Sequence, residues 1–187
     1  MQERDTVKIM SFKDYYYNEL RDKLKSDLGI KNQLAVPKVI KIVINVGSGE
    51  AATNKKVLDE IVEELKLITG QKPVITKARQ SISAFKIRKG MPIGVKVTLR
   101  GKKMYDFFEK LVKIVLPRFR DFSGIDVKAI DRNGNLNLGV SEQTLFPEIE
   151  YDKISKVRGL QITLVTNAGE QERGKKLLQS FGIPFKN

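Results

Sequence analysis

Between Glu64 and Asp106 the chain runs for 41 residues without a carboxylate, and this stretch carries 11 lysines and arginines, from Lys66 to Lys103. Such a segment cannot be an interior one. Burying an unpaired ammonium or guanidinium is costly, and the stretch holds no acid to pair it. Its cations must therefore face water or a partner. Within it, Gly94 to Arg100 alternates cleanly: Val95, Val97 and Leu99 point one way, Lys96, Thr98 and Arg100 the other. A period of two marks a strand with one buried and one open face, the arrangement that antiparallel sheets carry.

The whole chain holds 35 Lys and Arg against 22 Asp and Glu, a formal charge of +13, so most of the excess sits in under a quarter of its 187 residues. A sign segregated in this way implies a polyanionic partner, foremost a nucleic acid. A lysine-rich solubility face would account for a charge excess, but not for the missing sign. A hydrophobic content of 41% fits a globular protein, expected as a single domain over 1–187. No apolar run approaches the roughly 18 residues of a membrane span, and MQERDTVKIM has charges where a signal peptide would be apolar. The expectation is a soluble, unexported, cytoplasmic protein with no membrane partner. Without cysteine or histidine there is no disulfide, no thiolate zinc site, no cysteine nucleophile, no imidazole base and no histidine metal ligand, which removes the commonest catalytic machinery; no cofactor, metal or catalytic residue is expected.

Ser11 and Asp14 have capping-box-like spacing and open a periodic segment with Phe12, Tyr16, Leu20, Leu24 and Leu28, ended by Gly29. Val36 to Val46 is β-branched and reads as a strand, with Ile40, Ile42, Ile44 and Val46 on one face and Lys41, Val43 and Asn45 on the other. A second helix is expected over about Asn54 to Thr69, with Gly70 as its stop, and a third over Lys102 to Leu116, ended by Pro117. Pro73 to Lys77 and Ser83 to Arg88 read as short strands or an extended loop. Strands are expected near Ile125 to Ile130, over Leu136 to Val140 after the Asn133-Gly134 turn, and over Leu160 to Thr166, with a last helix from Glu170 to Phe181. This order points to an α+β fold, a largely antiparallel sheet backed by helices on one face with its polar, basic face open to RNA. On that face Lys41, Lys96 and Arg100 can meet phosphate, while Asn45 and Thr98 can read riboses or base edges.

Other candidates are weaker. Gly47, Ser48 and Gly49 lie between a strand and a helix but lack the rest of a phosphate-loop pattern, and read as a plain turn. Asp59, Glu60, Glu63 and Glu64 fall opposite the apolar stripe of their helix, as a solvated face does. Of Tyr15, Tyr16 and Tyr17, at least one should pack inward. A metal-dependent nuclease using scattered carboxylates would need one inside the basic window, and there is none.

The blocks GQKPVITKARQSISAFKIRKGMPIGVKVTLRG, LPRFRDFSG, LFPEIEYDKI and VRGLQITLV, in that order, resemble the universal 5S-rRNA-binding family of large-subunit ribosomal proteins in its bacterial form, "L five". The resemblance runs from about Tyr16 to Phe185. It implies a non-catalytic structural constituent that binds 5S rRNA and large-subunit rRNA in the central protuberance, beside other 5S-binding ribosomal proteins. It also implies a mobile basic loop that reaches the elbow of P-site tRNA, and a bridge to a protein of the small-subunit head. Carried over by motif, Asn45, Gln71 and Thr98 match positions the family uses for 5S rRNA. Lys77 to Arg88, with Lys77, Arg79, Gln80, Ser81, Ser83, Lys86 and Arg88, match the tRNA-reaching loop inside the basic segment 71–94. Ser123 departs from the family's usual arginine in the DFRG block, and the N-terminus is some residues longer than the resemblance leads one to expect, with no role assigned to the extension 1–10.

Overall fold

The computed structural model describes residues 10–52, 54, 56–120 and 122–186, so the N-terminal extension, Met10 excepted, lies outside the described residues. The strands are β1 (Val39–Gly47), β2 (Val74–Lys77), β3 (Pro92–Leu99), β4 (Leu136–Val140) and β5 (Leu160–Thr166). They form one sheet in the order β2-β3-β1-β5-β4, with every neighbouring pair antiparallel. The helices are α1 (Phe12–Tyr15, then a π turn Tyr16–Leu20, then Arg21–Asp27), α2 (Lys56–Thr69), α3 (Gly101–Lys110 with a π turn Leu111–Val115) and α4 (Gln171–Ser180). The expected α+β architecture is the one observed.

All four helices pack on the same face of the sheet, because their apolar stripes and the inward strand residues form one buried cluster. Ile42, Ile44, Val95, Leu99, Ile162, Leu164 and Leu136 are fully or almost fully buried there, against Phe108, Leu65, Leu177 and Leu24. At about 25 cal/mol per Å² of apolar surface, each such side chain contributes roughly 1.5–3 kcal/mol, and this packing decides which sheet face is covered. Phe12, Phe108 and Phe181 meet with ring centroids 4.9–5.4 Å apart and tie α1, α3 and the end of α4 together. Tyr16 is the tyrosine that packs inward. Its hydroxyl donates to the Pro37 carbonyl at 2.9 Å, and burial, with the neighbouring Tyr17, pushes its pKa up to about 12. Ser11 does cap α1, accepting from the Asp14 N–H.

Two local expectations are corrected. The phase of β1 does not run unbroken through Ile40: the pairing with β5 shifts between Val39 and Lys41, leaving Ile40 exposed while Val39 and Ile42 both turn inward. One extra residue in a strand resets its alternation, which a two-residue period alone cannot register. Ile125 to Ile130 is not a strand. It holds a short 3₁₀ turn, Val127–Ala129, between single bridges from Ile125 to Phe185 and from Ile130 to Leu136. Asp126 explains the turn, since its carboxylate accepts from the Lys128 N–H and caps it. Of the two readings left open for Ser83 to Arg88, strand or loop, the segment is a loop, with a 3₁₀ turn at Ser83–Phe85. At the Asn133-Gly134 turn, Gly134 has φ +81°, and a Cβ on it would lie 2.7 Å from the Glu170 carbonyl oxygen and 2.8 Å from the Ala168 Cβ. Only glycine lets the start of α4 lie this close to the turn.

Candidate nucleic-acid interface

The uncovered face of the sheet is assembled by register. Gly139, Gln161, Asn45, Lys96 and Val74 are successive cross-strand partners and make one row across all five strands, about 19 Å at the usual spacing between strands. Beside it runs a second row, Asn137, Thr163, Val43 and Thr98, and then Val165 with Lys41. Arg100 follows β3 at the N-cap of α3 and is exposed. None of the five strands contains an Asp or Glu. The surface therefore offers amides, hydroxyls and cations, and no carboxylate from the strands themselves.

The cations there are unspent. From Lys72 to Lys102 the chain has nine lysines and arginines, and among the described residues none of their side chains makes an ion pair or hydrogen bond. The side chains of Asn45 and Thr98 are likewise free of hydrogen bonds among the described residues. Thr163 and Asn137, in contrast, bond each other at 2.8 Å. Gln71 sits half-buried between α2 and β2, and its amide donates to the Thr98 carbonyl at 3.0 Å. That bond ties the α2–β2 turn to the end of β3, so Gln71 positions Thr98 as well as flanking the open face. The alternation of LQITLVT and LNLGV would have placed Gln161, Thr163 and Asn137 on this face too, had the two later strands been read for their polar residues.

Lys77 ends β2, and Arg79, Gln80, Ser81, Ser83, Lys86 and Arg88 follow on the long connection to β3, all seven of them exposed. This connection, 78–91, is a pinched hairpin. At its base the Ala78 N–H donates to Met91 O and the Gly90 N–H to Ala78 O, at 2.8 and 2.9 Å. Nearer the tip Ile82 and Ile87 exchange two backbone hydrogen bonds, and Ser81 accepts from the Lys89 N–H at 3.0 Å. Lys86 turns the tip in the left-handed region, φ +54°.

The carboxylates of α2 lie on the helical side of the molecule, where they do more than face solvent. Glu60 and Glu64 accept from the Arg158 guanidinium at 3.0 and 3.4 Å, and Glu60 also accepts from the Ser155 hydroxyl at 2.6 Å. Those two bonds hold the Glu60 carboxyl below its ordinary range, whereas burial pushes Glu64 up in spite of Arg158. With Glu148 and Glu150 they rim a cleft of about 560 Å³ floored by Leu67, Ile149 and Ile154. Buried Gln143 locks the segment on its far side, donating to Lys156 O at 2.7 Å and accepting from the Arg158 N–H.

Two family models match the sequence: ribosomal protein L5 over residues 32–88, and the C-terminus of the ribosomal L5 family over 92–185. The chain belongs to the ribosomal protein L5 family. It is 56% identical to the large ribosomal subunit protein uL5 of Desulfosudis oleivorans over 179 residues, 96% of this chain and all of that protein. It is also 56% identical to uL5 of Geotalea uraniireducens over 174 residues, 93% of this chain and 97% of that one. As a member of that family it is a structural protein of the large ribosomal subunit and not an enzyme, and it works in the cytoplasm with the ribosome.

Proposed function

We propose that the open sheet face binds 5S rRNA, with Lys41, Lys96 and Arg100 meeting phosphate, Asn45 and Thr98 reading riboses or base edges, and Gln71 holding Thr98 in place. The observation that carries this reading is the row of unpaired cations and amides on an acid-free sheet: groups with no internal partner are available to an external one at no cost in broken contacts. The 77–88 hairpin is the segment that reaches P-site tRNA, by its family motif and its unpaired cations Lys77, Arg79, Lys86 and Arg88. In the central protuberance the protein joins 5S rRNA to the large-subunit rRNA beside the other 5S-binding proteins, and it bridges to a protein of the small-subunit head.

The test is binding to 5S rRNA against a length-matched unrelated RNA, titrated across salt, for the wild type and for Asn45→Ala with Thr98→Ala. Phosphate contacts alone fade together for both RNAs as salt rises. Uncharged contacts keep a margin for 5S rRNA, and the double variant loses it by tenfold or more, since a hydrogen bond to a charged or buried partner is worth about 1.5–3 kcal/mol. An unchanged margin in the double variant sinks the assignment.

A further inference from the structure

The chain has nine phenylalanines. Five of them, Phe12, Phe107, Phe108, Phe146 and Phe181, are buried to 6% exposure or less, and Phe119, Phe122 and Phe185 pack against the core from its margin. Phe85 alone stands apart, 71% exposed at the tip of the 78–91 hairpin, with Ile82 beside it at 47%. Local structure maintains this exposure. Phe85 ends a 3₁₀ turn whose N–H donates to Ile82 O, Lys86 follows in a left-handed conformation that non-glycine residues rarely adopt, and the Ile82–Ile87 backbone pair closes the neck below. An exposed ring at a tip held in this way is presented to something.

The surroundings decide what. Lys77, Arg79, Lys86, Arg88 and Lys89 share the hairpin, none is paired among the described residues, and no carboxylate occurs between Glu64 and Asp106. An apolar protein partner would leave those charges unanswered. RNA answers both features at once, its phosphates meeting the cations and a splayed base meeting the ring. We propose that Phe85 is a stacking platform for an unpaired nucleobase on the RNA that the hairpin meets. The proposal rests on the reading of 77–88 as the tRNA-reaching hairpin and adds the kind of surface it touches: a base face, not only backbone.

The chain contains no tryptophan, so Phe85→Trp places a single indole at the tip as a reporter. The full chain would be titrated with tRNA, with a blunt RNA duplex of similar length, with polyphosphate and with vesicles of anionic lipid. Stacking predicts that tRNA quenches the indole emission while duplex and polyphosphate do not, and that Phe85→Ala weakens tRNA binding about tenfold while Phe85→Leu, which keeps apolar bulk without a ring, weakens it nearly as much. Binding of 5S rRNA should be unchanged in all three. The proposal is overturned if Phe85→Leu binds tRNA like the wild type, if polyphosphate quenches as well as tRNA, or if only vesicles change the emission. Lys77→Ala with Arg79→Ala separates the two levels: if it weakens tRNA binding and Phe85→Ala does not, the hairpin binds by phosphate alone. If neither variant has an effect, the hairpin reading itself has failed.

Discussion

The open sheet face and the acidic side of α2 are both strongly charged, yet they are built on opposite plans. On the sheet, Lys41, Lys96 and Arg100 have no partner among the described residues, and the strands around them contain no acid. On α2, Glu60 and Glu64 are gripped by Arg158, which is only 12% exposed, while Glu148 is paired with Lys110. A charge with an internal partner contributes to the fold and is largely spent. A charge without one costs the fold something through self-repulsion and is kept for an external partner. The contrast teaches that net charge alone does not locate a binding surface, whereas the pairing state of each charge does.

The largest expected effect comes from breaking the paired side. Arg158→Met removes the cation from between Glu60 and Glu64 and strands Glu64, whose side chain is 15% exposed. An exposed pair is worth up to about 1 kcal/mol and a fully buried one costs about 3–5 kcal/mol to break, so this half-buried cluster should cost about 2 kcal/mol in urea unfolding. Affinity for 5S rRNA should stay within about twofold. A stability loss under about 0.5 kcal/mol would mean that the α2 pairs are as idle as ordinary surface ones.

Lys96→Glu is the mirror experiment. It puts the only carboxylate into the strands of the open face, between Asn45 and Val74 in the cross-strand row. Affinity for 5S rRNA should fall tenfold or more and the salt dependence of binding should flatten, because a phosphate contact is not merely lost but made repulsive. Stability should move by less than about 0.5 kcal/mol, since no internal contact is broken. If this variant unfolds the protein but binds normally when folded, the comparison is inverted and the open face is structural.

How far these surfaces were legible in sequence follows from the same contrast. GVKVTLR and KIVIN declare their open residues because alternation is a local property, and Lys96, Thr98, Lys41 and Asn45 lie where period two puts them. The bulge at Ile40 was not legible, since it depends on how β1 registers against β5, more than a hundred residues away. Nor was the Arg158 cluster. Arg158 and Glu64 are 94 positions apart, and nothing local marks the four acids of α2 as anything but a wet helix face. Gln71 lies between: its place in the GQKP block was visible, but its bond to the Thr98 carbonyl depends on a strand pairing that only the folded chain supplies.

The smallest effect tests the paired side from within, because its two glutamates respond to pH in opposite senses. Glu60 is held below its ordinary value of 4.5 by the Ser155 hydroxyl and Arg158, so its contribution to stability is present above that value and is lost as pH falls through the lowered one. Glu64 is held above 4.5 by burial, so its contribution is present below 4.5 and is lost as pH rises through the raised value. At neutral pH the charged Glu64 is therefore a cost that Arg158 offsets only in part. Glu64→Gln should gain on the wild type as pH goes from 4 to 7, and Glu60→Gln should lose ground as pH goes from 3 to 5. Each difference should be below about 1 kcal/mol, because Glu60 is largely exposed and solvent screens it. Urea midpoints across pH 3–7 would read both trends. Two variants that drift the same way would mean that Arg158 treats the two carboxylates alike, and that the half-burial of Glu64 costs the fold nothing.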